Sequence, residues 1–223
     1  MTLPAPTPEY SALYSAYVSG SLDPAFALLV ETQAALRQDV RTALEISEVV
    51  ASAQFEAAPP VAMREDALER ALSAIDALED TSPAPAAAAL EASDALSELL
   101  SLPEPLRETA LMAAGEKGWN YTGPGLRRLQ LNVSDLTEAE LYRIEPGAAV
   151  PRHTHEATEF TLVIQGGFSD ETGSFGPGDI SVKGPEDTHT PVGDDDGICI
   201  VLAVRDGGLQ FKGLLGIIQR LLN

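Results

Sequence analysis

Three histidines, His153, His155 and His189, are the only ones in the chain, and all lie in its second half. His153 and His155 are separated by one residue, and Glu159 follows four positions later. Because residues two apart in a strand point to the same face, His153, His155 and Glu159 would share one face of a sheet. Imidazole nitrogens and carboxylate oxygens bind zinc and other divalent metals. The spacing therefore predicts a metal site with His153, His155, Glu159 and His189 as ligands.

A metal ion would explain why such polar side chains point into the interior of a small β-barrel, the fold that the later part of the chain is predicted to adopt. An unpaired polar group is costly to bury in an apolar interior, and a shared cation removes that cost. Three unrelated histidines are the alternative, which their confinement to one patterned segment disfavours. Neutral imidazole and carboxylate suit one divalent ion, for which zinc is the first candidate and iron, manganese and nickel are also compatible.

From residue 119 onward the pattern predicts short β-strands. Apolar and polar residues alternate at Leu129, Leu131 and Val133. Further apolar runs, separated by glycines and prolines, cover residues 141–144, 160–164, 180–182 and 198–204. Short strands at this spacing indicate an antiparallel barrel or sandwich. Residues 209–223 carry leucines and isoleucines at helical spacing, which predicts a short C-terminal amphipathic helix.

The first half of the chain is predicted to be helical. Tyr10, Leu13 and Tyr14 recur at helix spacing. Asp23 and Pro24 then provide an N-cap and a first-turn proline for a long run toward residue 44 and beyond. Residues 63–78 make another amphipathic stretch, and no strand-like alternation occurs. This half is therefore predicted to be a small unit of three or four helices.

These patterns divide the chain into three parts and predict an α+β protein. Residues 1–80 form the helical domain. Residues 81–118 form a linker rich in proline and alanine, with helical segments at 90–102 and up to about residue 114. Residues 119–223 form an antiparallel β-barrel of the jelly-roll kind with the short C-terminal helix.

Charge and composition narrow the classes of partner. The chain of 223 residues has a formal net charge of −20, which repels phosphate backbones and argues against direct binding of nucleic acid. It could still attract a basic protein. No apolar run is long enough to cross a membrane, and no secretory signal is recognised at the N-terminus. Cys199 is the single cysteine, which excludes an intramolecular disulfide and fits the cytoplasm.

The segment Gly147-x5-His153-x-His155-x3-Glu159-x6-Gly166 resembles the first motif of the cupin superfamily at every named position. The turn Gly176-Pro177-Gly178-Asp179 and the later His189 are similar to the second motif. There, however, Pro185-x3-His189 replaces the usual spacing, and no asparagine follows. The resemblance implies a cupin barrel with one metal ion bound by the four residues named above. Cupins include enzymes, storage proteins and sensors, so the motif does not by itself assign a function.

Longer stretches resemble the ChrR family of cupin-containing anti-sigma factors. They are residues 159–172, 175–180, 187–192 and 198–200 in the barrel, and residues 12–22 and 25–30 in the helical half. The resemblance implies a helical domain that binds an extracytoplasmic-function (ECF) sigma factor. It also implies a metal-bound cupin domain that senses a signal such as reactive oxygen, so that the chain regulates transcription in a stress response.

One departure from that family lies in the helical half. Family members bind zinc there through His-x3-Cys-x2-Cys and a further histidine, whereas Gln33, Arg37 and Val40 stand at the aligned positions. No histidine precedes His153, so these residues cannot form a zinc site. The helical domain must therefore be held by its apolar faces alone, or by a partner.

A cupin metalloenzyme, such as an iron-dependent dioxygenase, is the alternative to the regulator. Against it, the sequence offers no second histidine for acid–base work and no obvious arginine pair for a carboxylate substrate, and no catalytic residue is assigned. Cys199 is predicted to be a buried small hydrophobe rather than a redox group, because reactive thiols need an exposed, electropositive setting. The apolar tail leaves self-association into a homo-oligomer open.

Overall fold

In the computed structural model, the described residues are 8–76, 94–205 and 209–211. Within these ranges, six helices precede eleven strands, which confirms the predicted α+β architecture. The helices are α1 (Pro8–Val18), α2 (Pro24–Leu36), α3 (Gln38–Ala57), α4 (Ala67–Asp76), α5 (Asp94–Leu100) and α6 (Leu106–Glu116).

Helix α2 begins where the sequence predicts it. The Asp23 side chain accepts a hydrogen bond from the main-chain N–H of Ala25 at 2.9 Å, and Pro24 occupies the first turn. The continuous helix predicted toward residue 44 is wrong, because the chain becomes extended at Arg37, with φ −124° and ψ 116°. Two helices, α2 and α3, therefore replace one.

The break at Arg37 has a side-chain explanation. Its guanidinium donates hydrogen bonds to Asp39 on α3, at 2.8 and 2.9 Å, and to Asp179 of the barrel, at 3.1 Å. The extended backbone lets Arg37 lie between the helices and the barrel. Asp179 lies 142 positions away in the sequence, so a local pattern of apolar residues cannot predict this contact. The pattern alone therefore predicts one unbroken helix.

Helices α5 and α6 lie in the part of the chain predicted as a linker with helical segments. Leu99 of α5, Leu106 of α6 and Leu102 between them pack into the main apolar core and are at most 3 % exposed. The described part of this region is therefore packed against the rest of the protein. Residues 77–93 lie outside the described residues, and the domain bounds 1–80, 81–118 and 119–223 remain a prediction.

The strands form antiparallel sheets. Their bounds are β1 (Asn120–Gly123), β2 (Leu126–Leu131), β3 (Glu138–Ile144), β4 (His153–His155), β5 (Glu159–Gln165), β6 (Phe168–Asp170), β7 (Gly173–Phe175), β8 (Ile180–Lys183), β9 (Val192–Gly193), β10 (Cys199–Arg205) and β11 (Leu209–Phe211). A six-stranded sheet has the order β1-β2-β3-β10-β5-β8, and a three-stranded sheet has the order β7-β6-β9. Strand β11 pairs with β4.

One face of the six-stranded sheet packs against the helices. Leu129 and Leu162 of the sheet are fully buried in the same apolar core as Leu29 of α2. Phe26 of α2 meets Phe160 of β5 edge to face, with ring centroids 5.5 Å apart. The helices and the sheet thus share one hydrophobic core.

The opposite face of the same sheet lines the barrel interior, because side chains alternate along each strand. At one end, an apolar cluster fills the barrel with Leu126, Ile144, Val163, Phe168, Cys199 and Val201. Charged and histidine side chains are also buried inside the barrel. The fold therefore places polar chemistry in a water-poor interior.

The start of the predicted C-terminal helix is wrong. Strand β11 runs antiparallel to β4, with Leu209 opposite His155 and Phe211 opposite His153. Main-chain hydrogen bonds to the edge of β4 satisfy polar groups on both segments, which favours extended chain over helical propensity here. The remainder of that predicted helix, residues 212–223, lies outside the described residues.

Candidate metal centre

The structure brings three of the four predicted ligands together. His153 and His155 lie on β4, and His189 lies between β8 and β9. His189 and His153 form a backbone bridge with N···O distances of 3.1 and 3.2 Å. All three residues are buried, at 2–3 % exposure.

The ring nitrogens of the three histidines converge. Nε2 of His189 lies 3.1 Å from Nε2 of His153 and 3.1 Å from Nε2 of His155. One ligand atom from each ring lies within 4.8 Å of the other two. In the described part of the chain, this is the group of histidine, cysteine and carboxylate side chains that could hold a metal ion.

Hydrogen bonds assign the protons on two of these rings. Nδ1 of His153 lies 2.9 Å from the main-chain oxygen of Pro151, and Nδ1 of His189 lies 2.9 Å from Oδ2 of Asp170. A carbonyl and an ionised carboxylate only accept hydrogen bonds, so each Nδ1 carries the hydrogen. With both rings neutral, the two Nε2 atoms direct lone pairs at each other. A cation between them would turn this repulsion into binding.

His153 and His155 bind a proton weakly in this environment. Burial, with the neighbouring His189, lowers the pKa of His153 to about 4. Burial also lowers the pKa of His155. Both rings are therefore neutral near pH 7, which is the form that binds metal. A divalent metal ion fits a donor set of unprotonated nitrogens, and its chemical identity is left open by these contacts.

Glu159 lies beside the histidines rather than among their converging nitrogens. Its Oε2 is 3.7 Å from Nδ1 of His155, a buried nitrogen for which the described residues supply no hydrogen bond. The same oxygen is 3.2 Å from Nη1 of Arg205, and Oε1 accepts a hydrogen bond from Thr161 at 2.9 Å. The structure thus places Glu159 next to the site while Arg205 holds its carboxylate.

The sequence does not predict that three further charged residues lie near the histidines. Asp170 on β6 pairs with Lys183 on β8 at 3.0 Å, and Arg205 ends β10 beside Glu159. The side chains of Asp170, Lys183 and Arg205 are at most 5 % exposed. In the sequence, each of them is a charged residue within or at the end of a strand. Strands that are exposed to solvent carry such residues equally often, so the pattern does not predict burial. Their burial depends on partners far along the chain.

The environment of Asp170 strongly favours its charged form. Burial alone raises the pKa of this carboxyl, but hydrogen bonds from Thr172, His189 and Lys183 outweigh burial and hold the pKa far below its usual range. Asp170 is therefore a carboxylate near neutral pH. This agrees with its role as acceptor from Nδ1 of His189.

The residues aligned with the missing zinc ligands make ordered contacts of another kind. Gln33 is 5 % exposed, accepts a hydrogen bond from the Tyr14 hydroxyl at 2.9 Å, and donates one to the main-chain oxygen of Gly178 at 3.1 Å. Arg37 reaches the same barrel turn through Asp179, and Val40 is buried in the main core. Polar and apolar contacts thus join the helices to the barrel at this point.

Cys199 lies on β10 inside the barrel and is fully buried. Burial raises the pKa of its thiol to about 12. The thiolate that would react with oxidants is therefore absent near neutral pH. This agrees with the predicted role of a small buried hydrophobe.

The helical region exposes large apolar side chains along α3 and α4. This α3–α4 apolar surface is made of Ile46, Val49, Val50, Phe55, Val61, Met63, Leu68, Leu72 and Ile75. Each of these residues is at least 52 % exposed. None of the residues of α4, all of which are described, is buried. Isolated exposed apolar residues are ordinary, whereas nine between residues 46 and 75 make this segment a candidate for contact with a partner.

None of the helices in the described ranges has the length and apolar content that a membrane crossing requires.

Comparisons with known proteins cover both halves of the chain. The ChrR cupin-like domain family matches residues 107–206. The anti-sigma-E factor ChrR of Cereibacter sphaeroides is 35 % identical over 204 residues, which are 92 % of this chain and 91 % of that protein. The crystal structure of Rhodobacter sphaeroides SigE in complex with the anti-sigma ChrR matches with a TM-score of 0.68 and 34 % identity. That match covers 88 % of this chain and 96 % of the other. These likenesses confirm the predicted cupin fold, and the chain belongs to the ChrR family.

Proposed function

We propose that this chain is an anti-sigma factor: its helical region binds an ECF sigma factor, and its metal-bound cupin domain senses a signal such as reactive oxygen. The observation that carries the proposal is the 35 % identity to the anti-sigma-E factor ChrR over 92 % of the chain. A likeness that spans both regions is stronger support than the cupin fold, which hosts many functions. Because sigma factors act on RNA polymerase, the proposal places the chain in the cytoplasm.

The α3–α4 apolar surface suits a protein partner. Leu68, Leu72 and Ile75 recur at helical spacing on one side of α4, and each is more than half exposed. Burial of such side chains in an interface is favourable by about 25 cal/mol per Å² of apolar surface. The net charge of −20 adds a long-range attraction for a partner that presents basic helices. A sigma factor, whose DNA-binding helices are basic, has both properties.

The helical region does not need zinc for this role. Leu13 of α1, Leu29 of α2 and Val40 of α3 are buried in one core with the sheet. The Tyr14–Gln33 hydrogen bond adds a polar contact between α1 and α2. These contacts fix α1, α2 and the start of α3, and they leave the α3–α4 apolar surface free for a partner.

The proposed metal centre binds one divalent ion, with zinc as the first candidate. His153, His155 and His189 would supply Nε2 atoms, and Glu159 would supply a carboxylate oxygen after exchanging its contact with Arg205 for the metal. The two Nε2–Nε2 distances of 3.1 Å, from His189 to His153 and to His155, support the histidine part of this set. Tetrahedral coordination by nitrogen and oxygen is the arrangement that zinc prefers.

A change at the metal centre has a physical route to the helices. Phe160 follows the proposed ligand Glu159 on β5 and packs on Phe26 of α2. On the adjacent strand, Lys183 pairs with Asp170, the partner of His189, and the turn before that strand holds Asp179 against Arg37. Loss or oxidation of the site would therefore disturb contacts that position α2 and α3.

The test is co-expression of the chain with the ECF sigma factors of its own organism, each in turn, followed by affinity purification of one partner. The wild-type chain should yield a stable one-to-one complex. Leu68→Glu and Leu72→Glu should each weaken that complex by at least about 30-fold, the effect of removing an interface hot spot. Leu136→Glu is the matched control, because Leu136 is 87 % exposed just before β3, outside the α3–α4 apolar surface.

Failure of the wild-type chain to bind would contradict the anti-sigma function. Undiminished binding by Leu68→Glu and Leu72→Glu would leave the function standing and contradict the assigned surface. Equal loss in the Leu136→Glu control would also contradict the surface, since any added charge would then have the same effect.

A further inference from the structure

Asp170 is a buried carboxylate that touches a proposed metal ligand without belonging to the proposed ligand set. It contacts His189 at Nδ1, the ring nitrogen that points away from the converging Nε2 atoms. Its side chain has no exposed surface. A charge buried in this way is costly unless it is fully paired, so its retention at this position calls for a role.

Both oxygens of Asp170 are engaged. Oδ2 accepts from Nδ1 of His189 at 2.9 Å and pairs with Nζ of Lys183 at 3.0 Å. Oδ1 accepts from the main-chain N–H of Thr172 at 2.7 Å and from the Thr172 hydroxyl at 2.6 Å. Four donors thus fix both the position and the plane of the carboxylate. A fixed acceptor, in turn, fixes the ring that donates to it.

His189 needs such an anchor more than the other two histidines. His153 and His155 lie on β4, whose backbone pairs with β11 and orients their side chains. His189 lies outside the named strands, in a segment tied to the barrel by its bridge to His153. The next residue, Thr190, adds a hydrogen bond from its main-chain N–H to Glu171 at 2.9 Å. The β6–β7 turn therefore holds this segment from the side.

Lys183 completes the arrangement as the counter-ion. Its side chain is 5 % exposed, and its ammonium contacts both Asp170 and the Thr172 hydroxyl. Lys183 thus balances the charge of Asp170, while the carboxylate keeps its contact with Nδ1 of His189. A carboxylate that accepts from Nδ1 raises the basicity of Nε2 toward a metal.

We propose that Asp170 is the positioning residue of the metal centre. It holds His189 with Nδ1 protonated and Nε2 aimed at the other two histidines, and Lys183 balances its charge. This inference rests on the metal centre proposed above.

The test compares Asp170→Asn with Glu98→Gln in the full-length chain. Glu98→Gln is the matched control: it also removes a carboxylate from an ion pair, that of Glu98 with Arg143 at 2.7 Å, on the helix-facing side of the sheet. Zn²⁺ affinity is measured by competition with a chromophoric chelator, and the absorption spectrum of bound Co²⁺ reports ligand geometry. Asp170→Asn should bind Zn²⁺ about 10- to 100-fold more weakly and shift the Co²⁺ spectrum. Glu98→Gln should match the wild type in both.

A second variant covers the case in which Asp170→Asn fails to fold. Thr172 is exposed, and Thr172→Val removes its hydroxyl donor to Asp170. The carboxylate loses one of its four restraints, so Zn²⁺ affinity should fall about fivefold, the value of a single hydrogen bond.

Wild-type affinity and an unchanged Co²⁺ spectrum in Asp170→Asn, or in Thr172→Val if the first variant is unfolded, would overturn the inference. An equal loss in Glu98→Gln would overturn it as well, because the loss would then reflect stability. Absence of Zn²⁺ and Co²⁺ binding by the wild-type chain would overturn the metal centre itself, a distinguishable result.

Discussion

In the barrel, charged side chains point inward and find partners there, whereas in the helical region large apolar side chains point outward. Arg205, Lys183, Asp170 and Glu159 are all buried around the histidines and paired with one another or with neighbours. Along α4, by contrast, Leu68 and its neighbours are more than half exposed. Both arrangements depart from the usual distribution of polar and apolar residues.

The difference indicates what each region requires. The barrel directs the Nε2 atoms of three buried histidines at one another, an arrangement that a bound cation makes favourable. The helical region exposes apolar surface, which a protein partner makes favourable. The two regions share one core through contacts such as Phe26–Phe160, which gives the two proposed sites a physical connection.

The largest expected effect comes from removing a ligand in the barrel. His189→Ala should lower metal affinity by more than the roughly 100-fold upper range seen for outer-sphere partners. It should also lower the melting temperature of the metal-loaded protein, because metal binding stabilises the folded state. Metal content after dialysis and thermal unfolding check both effects, and Arg152→Ala, an exposed neighbour of His153, is the control. A wild-type metal load in His189→Ala would remove this residue from the ligand set.

The second-largest effect is the loss of unfolding free energy when a leucine of the helical region is truncated, which should differ between Leu29 and Leu72. Leu29 on α2 is fully buried in the shared core, whereas Leu72 on α4 is 52 % exposed. Leu29→Ala should lower the free energy of unfolding by about 3 kcal/mol, since it leaves a cavity. Leu72→Ala should change it by less than about 0.5 kcal/mol. Urea unfolding measures both, and a similar cost at the two positions would show that α4 packs onto the protein after all.

A smaller effect is expected at the contact between the two regions. The ion pair of Arg37 and Asp179 is partly exposed, with side chains 31 % and 47 % accessible. Solvent screens this pair and the pair of Arg37 with Asp39, so Arg37→Ala should lower the free energy of unfolding by only about 1 kcal/mol. Zn²⁺ affinity should stay at the wild-type value. A loss of several kcal/mol would mean that this contact, rather than the apolar core, joins the regions.

The smallest effect concerns Cys199. Because burial raises the pKa of this thiol to about 12, the folded protein has almost no thiolate at pH 8, and the fraction would grow only as pH approaches 12. A thiol reagent should therefore label no cysteine in the native protein and one after unfolding. Rapid labelling of the native protein would revive the redox role that the structure disfavours.

What the sequence predicts well is local and periodic. The alternation around Leu129 and the pair His153 and His155 on one strand follow from a repeat of two, and Asp23 with Pro24 follows from helix-capping chemistry. What it misses depends on distant partners. The break at Arg37 comes from Asp179, and strand β11 comes from the edge of β4.

The charged interior of the barrel is the clearest case of such a miss. Asp170 and Lys183 read as surface residues of short strands, and only the fold shows that they meet beside His189. The exposed apolar side of α4 is a second such case. An amphipathic pattern predicts that a helix has an apolar side, but it does not predict which part of the protein, if any, packs against that side.

Native mass spectrometry of the chain co-purified with its ECF sigma factor tests most directly whether one chain carries both sites. We expect one species that contains one copy of each protein and one divalent metal ion, with the metal lost in His189→Ala. A metal-loaded chain without sigma factor, or a complex whose mass includes no metal, would contradict the claim that one chain carries both sites.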